Sequence, residues 1–568
     1  MDDSHAEVIR LLRLAQAGQP EQALVRADEL LGSGESLGVL YARAVALRCL
    51  GDHEGAAATA ELMLDITRGQ SASATLPAIV TATLGTGTAA ATPTPLAGPL
   101  ADAGMAGWQS IALSFRACQH MLLGEIGPQV LDLESTLHDL AQAEAALSQA
   151  VSNGFVLATA HTGVGHGYHD LRLYELALPH YEAALEASLT QPAEMAARTA
   201  VTSQLNLAEL HLNWSVELYR IRETSRARDK STTAARHAAR AQEYASTDET
   251  SSYAAIAGLL AACADSGGGA PDVVVERIRD GLQKVERRGL RESRAFALPF
   301  LAWALERAGR LTEALDVAAE ACDVLPPDAT WMLTSAAYHT RAALLARSGS
   351  DSARAGLAYG DQLAKTMWRQ RLRTLHNARS LQILERVTLE RDRVQVLAHT
   401  DALTGVGNRR AFDVRVAELS GSAAGSAEVG MIVVDVDRLK AVNDAGGHEA
   451  GDLTLRGVAS ALTGQVRAGD LVARLGGDEF VAVMEGIDRA GVAAIAARMV
   501  DAVSTTLGPT LTISVGVATG PASEAGAGLL HEADSAMYAA KRASRVRPAP
   551  METPTLMEPN FGGQSRTG

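Results

Sequence analysis

Residues 474–480 read Arg474-Leu475-Gly476-Gly477-Asp478-Glu479-Phe480, two glycines and two acids set between strand-like flanks. Adjacent residues without side chains let a chain turn tightly between two strands, and they let a phosphate or a base come close to the backbone. A purely structural hairpin has no need of two consecutive acids at its tip. Some forty residues upstream, in a count of order set by typical strand–helix–strand spacing, the apolar run Met431-Ile432-Val433-Val434 leads into Asp435-Val436-Asp437. Carboxylates at the end of a buried strand cost free energy unless they hold something cationic. Oxygen ligands of this kind suit Mg²⁺ or Mn²⁺, Mg²⁺ in particular taking one or two carboxylates plus substrate phosphates. An Asp ending a strand is also a common turn or cap. The two segments gain meaning together, because neighbouring strands would bring Asp478 and Glu479 beside Asp435.

Working outward, strand-like runs at 430–436, 471–475, 480–484 and 510–517 alternate with helical runs at about 408–419, 447–463, 487–506 and 526–543. That alternation predicts an α/β domain over residues 399–546. The Pro-, Gly-, Thr- and Met-rich tail, 547–568, reads as disordered.

Further segments fall in order around these two. They are Asp401-Ala402-Leu403-Thr404-Gly405-Val406-Gly407-Asn408-Arg409-Arg410, then Asp435-Val436-Asp437-Arg438-Leu439-Lys440, Asn443-Asp444, Gly447-His448 and Gly451-Asp452. The closing segment is Ala533-Asp534-Ser535-Ala536-Met537-Tyr538-Ala539-Ala540-Lys541. In this arrangement residues 399–546 resemble the GGDEF domain of diguanylate cyclases, a nucleotide-cyclase-like α/β fold. The resemblance implies condensation of two GTP into cyclic di-GMP with release of two pyrophosphates. It implies two Mg²⁺ (or Mn²⁺) ions per active site, held by Asp435, Asp478 and the Val436 carbonyl. Glu479 is implied as a metal contact or proton acceptor, and Asp478, Glu479 and Lys440 as the catalytic set. Asn443 and Asp452 would read the guanine edge, Gly476 and Gly477 would let the substrate approach, and Lys440, Lys541 and Arg545 would contact the outer phosphates. Asp437 is expected to support the ligands rather than bind, and His448 to serve as a structural hydrogen-bonding residue.

Arg467-Ala468-Gly469-Asp470 ends six residues before Gly476. The family's product-inhibition site is an RxxD at this spacing, which implies cyclic di-GMP as inhibitor as well as product. Two departures stand out. Gly446 occupies a place that is usually large and apolar, and the closing Gly-Arg-Asn of the family is Ser544-Arg545-Val546 here. Neither removes a metal ligand. Ring closure needs two GTP molecules facing each other, so the resemblance also implies a homodimer. The rival readings are a catalytically inactive cyclic di-GMP-binding effector and a repeat-based interaction scaffold.

Residues 1–360 are helical in pattern. Ala44, Gly51, Ala56 and Ala60 fall at offsets 0, 7, 12 and 16, and Gly165, Ala177, Tyr181 and Ala184 at 0, 12, 16 and 19. A third set, Ala302, Gly309, Ala314, Ala318, Ala321 and Pro326, falls at 0, 7, 12, 16, 19 and 24. Small residues at these offsets let two helices approach closely, glycine turns the chain and proline stops it. The pattern resembles tetratricopeptide repeats, and so predicts an all-α solenoid acting as a sensory or dimerisation region with an unknown protein partner. The Ser/Thr/Pro/Gly-rich stretch at about 70–106 is expected to be a loop-like insertion. From 361 to 398 the pattern is one charged connecting helix with an apolar stripe: Trp368, Leu372, Leu375, Ala378, Leu381, Leu384, Val387, Val394 and Leu397. It could pair with its twin, or pack as the last helix of the solenoid.

Composition bounds the rest. The formal charge of −15 does not suit a general nucleic-acid binder. Of 51 basic residues only five are lysines, Lys230, Lys284, Lys365, Lys440 and Lys541, a bias that fits a GC-rich bacterial genome. Lys440 and Lys541 are the two lysines of the 399–546 segment, and both stand where the family places phosphate contacts. Four scattered cysteines without CxxC spacing argue against a structural zinc or a disulfide framework. The acidic start of the chain is no signal peptide, no clean membrane span is visible, and a cytoplasmic location is expected.

Overall fold

The computed structural model describes residues 3–16, 18–32, 36–68, 99–126, 132–150, 154–191, 193–245, 251–288, 292–326, 329–421, 428–467 and 469–546. The chain forms two compact units, Met1–Val387 and Thr388–Gly568. The first is built of helices alone among its described residues. They are α1 (Asp3–Gln16), α2 (Pro20–Leu31), α3 (Leu37–Cys49), α4 (His53–Thr67) and α5 (Pro99–Ile126). Then come α6 (Leu133–Leu147), α7 (Gly154–Asp170), α8 (Tyr174–Ser188), α9 (Ala193–Arg220) and α10 (Thr224–Tyr244). The series ends with α11 (Ser251–Ala264), α12 (Pro271–Glu286), α13 (Glu292–Arg307), α14 (Leu311–Asp323), α15 (Trp331–Arg347) and the start of α16 (Asp351–His399). From α1 to α15 most of the packing is between helices close together in the chain.

The small residues do what their spacing predicts. Ala44, Ala56 and Ala60 are fully buried where α3 meets α4, and Gly51 makes the turn between them at φ 81°. Ala302, Ala314, Ala318 and Ala321 do the same for α13 and α14, with Gly309 at φ 76°. In the α7–α8 hairpin a Cβ on Gly165 would lie 2.7 Å from the Tyr181 ring, so that position is restricted by contact. The turn there falls on Arg172, a non-glycine residue at φ 63°. Such a conformation costs about 1–3 kcal/mol. Opposing that cost, the Arg172 guanidinium donates to both Glu217 oxygens at 2.6 Å and lies 4.2 Å from the Trp331 ring centre.

Two expectations are corrected. The loop-like stretch 70–106 lies partly outside the described residues, but from Pro99 onward it is already helix α5, with proline at the first turn where its missing N–H costs nothing. The connecting helix starts at Asp351 rather than 361 and runs 49 residues. Its stripe divides. Leu375 and Ala378 are buried and Trp368 and Leu381 pack against the first unit's core, whereas Leu372, Leu384, Val387, Val394 and Leu397 are exposed. Arg371 anchors the packed part. Its side chain is 1% exposed, it pairs with Glu175, donates to the Arg172 carbonyl at 2.6 Å, and lies against the Trp368 and Tyr174 rings.

The second unit carries α17 (Arg409–Gly421), β1 (Glu428–Val436), α18 (Leu439–Thr463), β2 (Leu471–Gly476) and β3 (Glu479–Glu485). It closes with α19 (Arg489–Leu507), β4 (Ile513–Pro521) and α20 (Ala527–Val546). The sheet is antiparallel with order β2-β3-β1-β4. Strand alternation sends Ile432, Val434 and Val436 toward α18 and α19, and Met431 and Val433 toward α17 and α20. Helix α19 is the one described helix long and apolar enough to cross a membrane by length and composition. Its Val492, Ala496, Met499 and Val503 are buried in the sheet's core. All four cysteines are free thiols.

Candidate functional site

The site grows from the pairing of β1 with β3. Asp435 stands opposite Glu479 in the register, and the Val436 N–H donates to the Asp478 carbonyl at 3.0 Å. Gly476 (φ 152°) and Gly477 (φ 56°) make the β2–β3 turn in backbone conformations that side chains disfavour. Asp435, Asp478 and Glu479 therefore converge, as the hairpin reading required.

Alternation along β1 puts Asp435 on the same face as Met431 and Val433, toward α20. There Lys541 Nζ lies 2.5 Å from Asp435 Oδ1. Gly516 in β4 permits this approach. A Cβ there would collide with the α20 backbone at Ala533 and Met537. Asp435 is 5% exposed. Burial, then the charges of Asp478 and Asp437, push its carboxyl above the usual range, and Lys541 pulls the other way. Glu479 is also pushed up, by burial first and then by Asp435, Asp534 and Asp478. Crowded acids of this kind are what a cation-binding surface requires. Asp437 is held to β4, accepting from Thr512 Oγ1 at 2.7 Å and Ser514 Oγ at 2.8 Å.

Among the described residues no three His, Cys, Asp or Glu side chains form an ion cage by themselves. Two carboxylates and a backbone carbonyl nevertheless fit Mg²⁺, which leaves positions for phosphate oxygens and water.

Helix α18 begins three residues after β1, with Arg438 in the left-handed region at φ 60°. Its free N–H groups suit anions. Lys440 lies exposed in this first turn. Gly447 (φ 78°, ψ 176°) breaks the helix into two parts. The sequence pattern reached only the second part; the first carries Lys440 and Asn443. A Cβ on Gly451 would collide with Asn443 Oδ1, so the bare backbone there sets the Asn443 side chain, one residue before Asp452. His448 is exposed at the break. Arg545 lies in the last turn of α20, with its side chain outside the described residues.

Before β2, the Arg467 N–H and Nε donate to Asp470 Oδ2 at 3.0 and 3.3 Å, and Nη2 donates to the Glu485 carbonyl at 2.9 Å. The Arg467 side chain is 68% exposed and that of Asp470 4%, so the pair presents its cation to solvent.

One function escaped the sequence reading. Arg474 Nη2 and Nε donate to the Gly477 carbonyl at 2.6 and 3.0 Å, clamping the turn, and Nη1 reaches Asp401 Oδ1 at 3.2 Å. Asp401 also accepts from the Thr404 hydroxyl and N–H. The opening segment thus braces the acidic turn. The available signal was an Arg two residues before the glycines and an Asp outside any strand, 73 positions apart.

Residues 398–547 match the family described as diguanylate cyclase, GGDEF domain. This C-terminal part of the chain belongs to that family. Similar proteins include the diguanylate cyclase TpbB of Pseudomonas aeruginosa, 38% identical over 172 residues, 28% of this chain and 40% of that protein. The probable diguanylate cyclase DgcC of Escherichia coli is 31% identical over 175 residues, 30% of this chain and 47% of that protein. The chain thus spans less than half the length of either relative. Among solved structures it is similar to the coiled coil and GGDEF domain of DgcB from Caulobacter crescentus in complex with c-di-GMP. That likeness has 31% identity and TM-score 0.28, covering 30% of this chain and 95% of that one.

Proposed function

We propose that the chain is a diguanylate cyclase that joins two GTP molecules into cyclic di-GMP as a homodimer. The observation that carries this reading is the convergence of Asp435, Asp478 and Glu479 at the β1–β3 edge with Lys541 beside them. Each 3′-oxygen bonds to the α-phosphorus of the other nucleotide as the bond from that phosphorus to its bridging oxygen breaks. Two pyrophosphates leave and two protons are released. Asp435, Asp478 and the Val436 carbonyl would hold two Mg²⁺. The chemistry such ions would supply is neutralisation of the triphosphate charge and a lowered pKa at the attacking hydroxyl. Glu479 would serve as a further metal contact or as the acceptor of the hydroxyl proton, the crowding of acids around it suiting either role. Lys440 and Arg545 contact the outer phosphates, and Lys541 turns from Asp435 to the same task. Asn443 and Asp452 pair with the guanine edge, so ATP is rejected.

In the same reading residues 1–360 form a tetratricopeptide-like solenoid, supported by the buried small residues of the α3–α4, α7–α8 and α13–α14 hairpins. It controls the meeting of two cyclase domains, and the exposed apolar residues of α16 pair with those of a second chain in the cytoplasm. Arg467 and Asp470 bind the product and restrain turnover. The test is incubation of the purified dimer with GTP and Mg²⁺ followed by nucleotide separation, with and without added cyclic di-GMP. Cyclic di-GMP and pyrophosphate in a 1:2 ratio are expected, and dimeric protein that makes none refutes the reading. Arg467→Ala is expected to abolish product inhibition while leaving initial turnover unchanged.

A further inference from the structure

The helical unit holds a cleft of about 540 Å³ walled by α9, α10, α13, α15 and the turn Asp265–Gly267. In a chain with 4% aromatic residues, three aromatic side chains line this one cleft. The Tyr219 and Trp303 rings meet edge to face, 5.8 Å between centres, and Phe300 lies beside them. Trp303 Nε1 is fixed by Thr340 Oγ1 at 3.1 Å, which holds the ring in place.

Arg220, Arg228 and Arg307 also line the cleft. None of the three has an ion-pair partner among the described residues. Arg228 is exposed and has no ion pair. Arg307 donates to the backbone carbonyls of Ser266 and Gly269 at 2.7 and 2.9 Å. Arg220 donates to Ser335 and lies 5.4 Å from the Trp331 ring centre, and its Nε is buried without a partner. The acids of the cleft are already engaged, Glu306 with Arg347 and Asp265 with Arg277. Three guanidinium groups without an ion-pair partner among the described residues, set around an aromatic wall in a chain of charge −15, define a local preference for anions. The volume is that of a small-molecule site, roughly 300–1,000 Å³.

One wall residue of the cleft reaches the connecting helix. His339, on its wall, places Nε2 3.5 Å from Asp361 Oδ1 of α16, and Arg222 holds the other Asp361 oxygen at 2.8 Å. We propose that this cleft binds a small organic anion built on a planar ring, and that its occupancy is felt at Asp361. The ring lies against Tyr219, Phe300 and Trp303 while the anionic group meets the arginines. This proposal does not rest on the cyclase reading, and its test contains no GTP.

Two sources of this chemistry, an aromatic carboxylate and a nucleoside phosphate, are separated by titrating the full chain calorimetrically with 1-naphthoate and with adenosine monophosphate. Saturable 1:1 binding of one probe is expected, with Kd below about 1 mM. Arg228→Glu and Trp303→Ala are each expected to weaken it about tenfold or more. Because Arg228 is exposed and unpaired, its variant retains the fold and isolates the charge. Hydrogen exchange of peptides covering 351–365 is expected to slow with the bound probe. No saturation by either probe, or wild-type affinity in both variants, overturns the site. Saturation with unchanged exchange across 351–365 overturns the link to Asp361.

Discussion

Acidification should unfold the helical unit before the cyclase domain. Five histidines there are held neutral, primarily by burial: His161, His166 and His237 at about 4, His169 and His211 at about 3. In the unfolded chain an imidazole titrates near 6.5. The folded values lie below the unfolded one, so between these limits the unfolded chain binds more protons and stability falls as pH falls. For the step from pH 6.5 to 5.5 the linkage amounts to about 1 kcal/mol per imidazole. Five together reach about 3–5 kcal/mol, a large part of the stability of an ordinary domain. The neighbours offer little relief. His161 faces His180, ring nitrogens 3.1 Å apart, with Glu144 pulling the other way, and His211 stacks on His237 with Lys230 and Arg236 opposing its protonation. His169 meets Tyr181 and Asn213. The chain supplies its own probe, since all five tryptophans, 108, 214, 303, 331 and 368, lie in the first unit. Denaturant titrations followed by tryptophan fluorescence should show the midpoint dropping steeply between pH 6.5 and 5.5. An unchanged midpoint, or resonances of these five histidines titrating near 6.5 in the folded protein, would refute the reasoning.

Other outcomes are expected at the site and its supports. Lys541→Ala leaves Asp435 crowded by acids, so the domain should lose about 2 kcal/mol of stability, seen as a lower melting temperature that Mg²⁺ partly restores; turnover should fall at least about 100-fold. Arg474→Ala should lower kcat/KM by about 10–100-fold through loss of the Gly477 clamp, with the helical unit's fluorescence unfolding unchanged. Gly451→Ala should raise KM for GTP by displacing Asn443, visible in steady-state kinetics with little effect on melting. Arg371→Ala leaves Glu175 unpaired and should cost about 3 kcal/mol of local stability. Hydrogen exchange across 365–385 would report it.

The strands were legible because short continuous apolar runs bounded by turn residues stand out there, and the acids because no structural need explains them. Contacts that bind distant positions were not. Arg474 and Asp401 gain their role from a meeting that neither local pattern contains. Gly516 reads as a weak strand residue until α20 lies against it. The first half of α18 was missed because Gly446-Gly447 reads as a helix start, whereas one left-handed residue only interrupts it. Helix α5 was hidden by the Pro/Thr/Gly-rich stretch before it. In α16 the apolar stripe was visible, but which of its residues another helix covers depends on partners such as Tyr174 and Glu175, nearly two hundred positions away in a separation fixed by the ion pair with Arg371.

The 49 residues of α16 without a break have a geometric consequence. At 1.5 Å and 100° per residue the ten residues from Asp361, held by Arg222 and His339, to the Arg371 anchor fix a separation of about 15 Å and a definite phase between the two sets of contacts. Inserting one residue between Asp361 and Arg371 would turn one set of contacts by about 100° and shift it by about 1.5 Å against the other, so the two could not be made together, while seven would restore the facing to within about 20°. Along this stretch, the number of residues carries information that their identities do not.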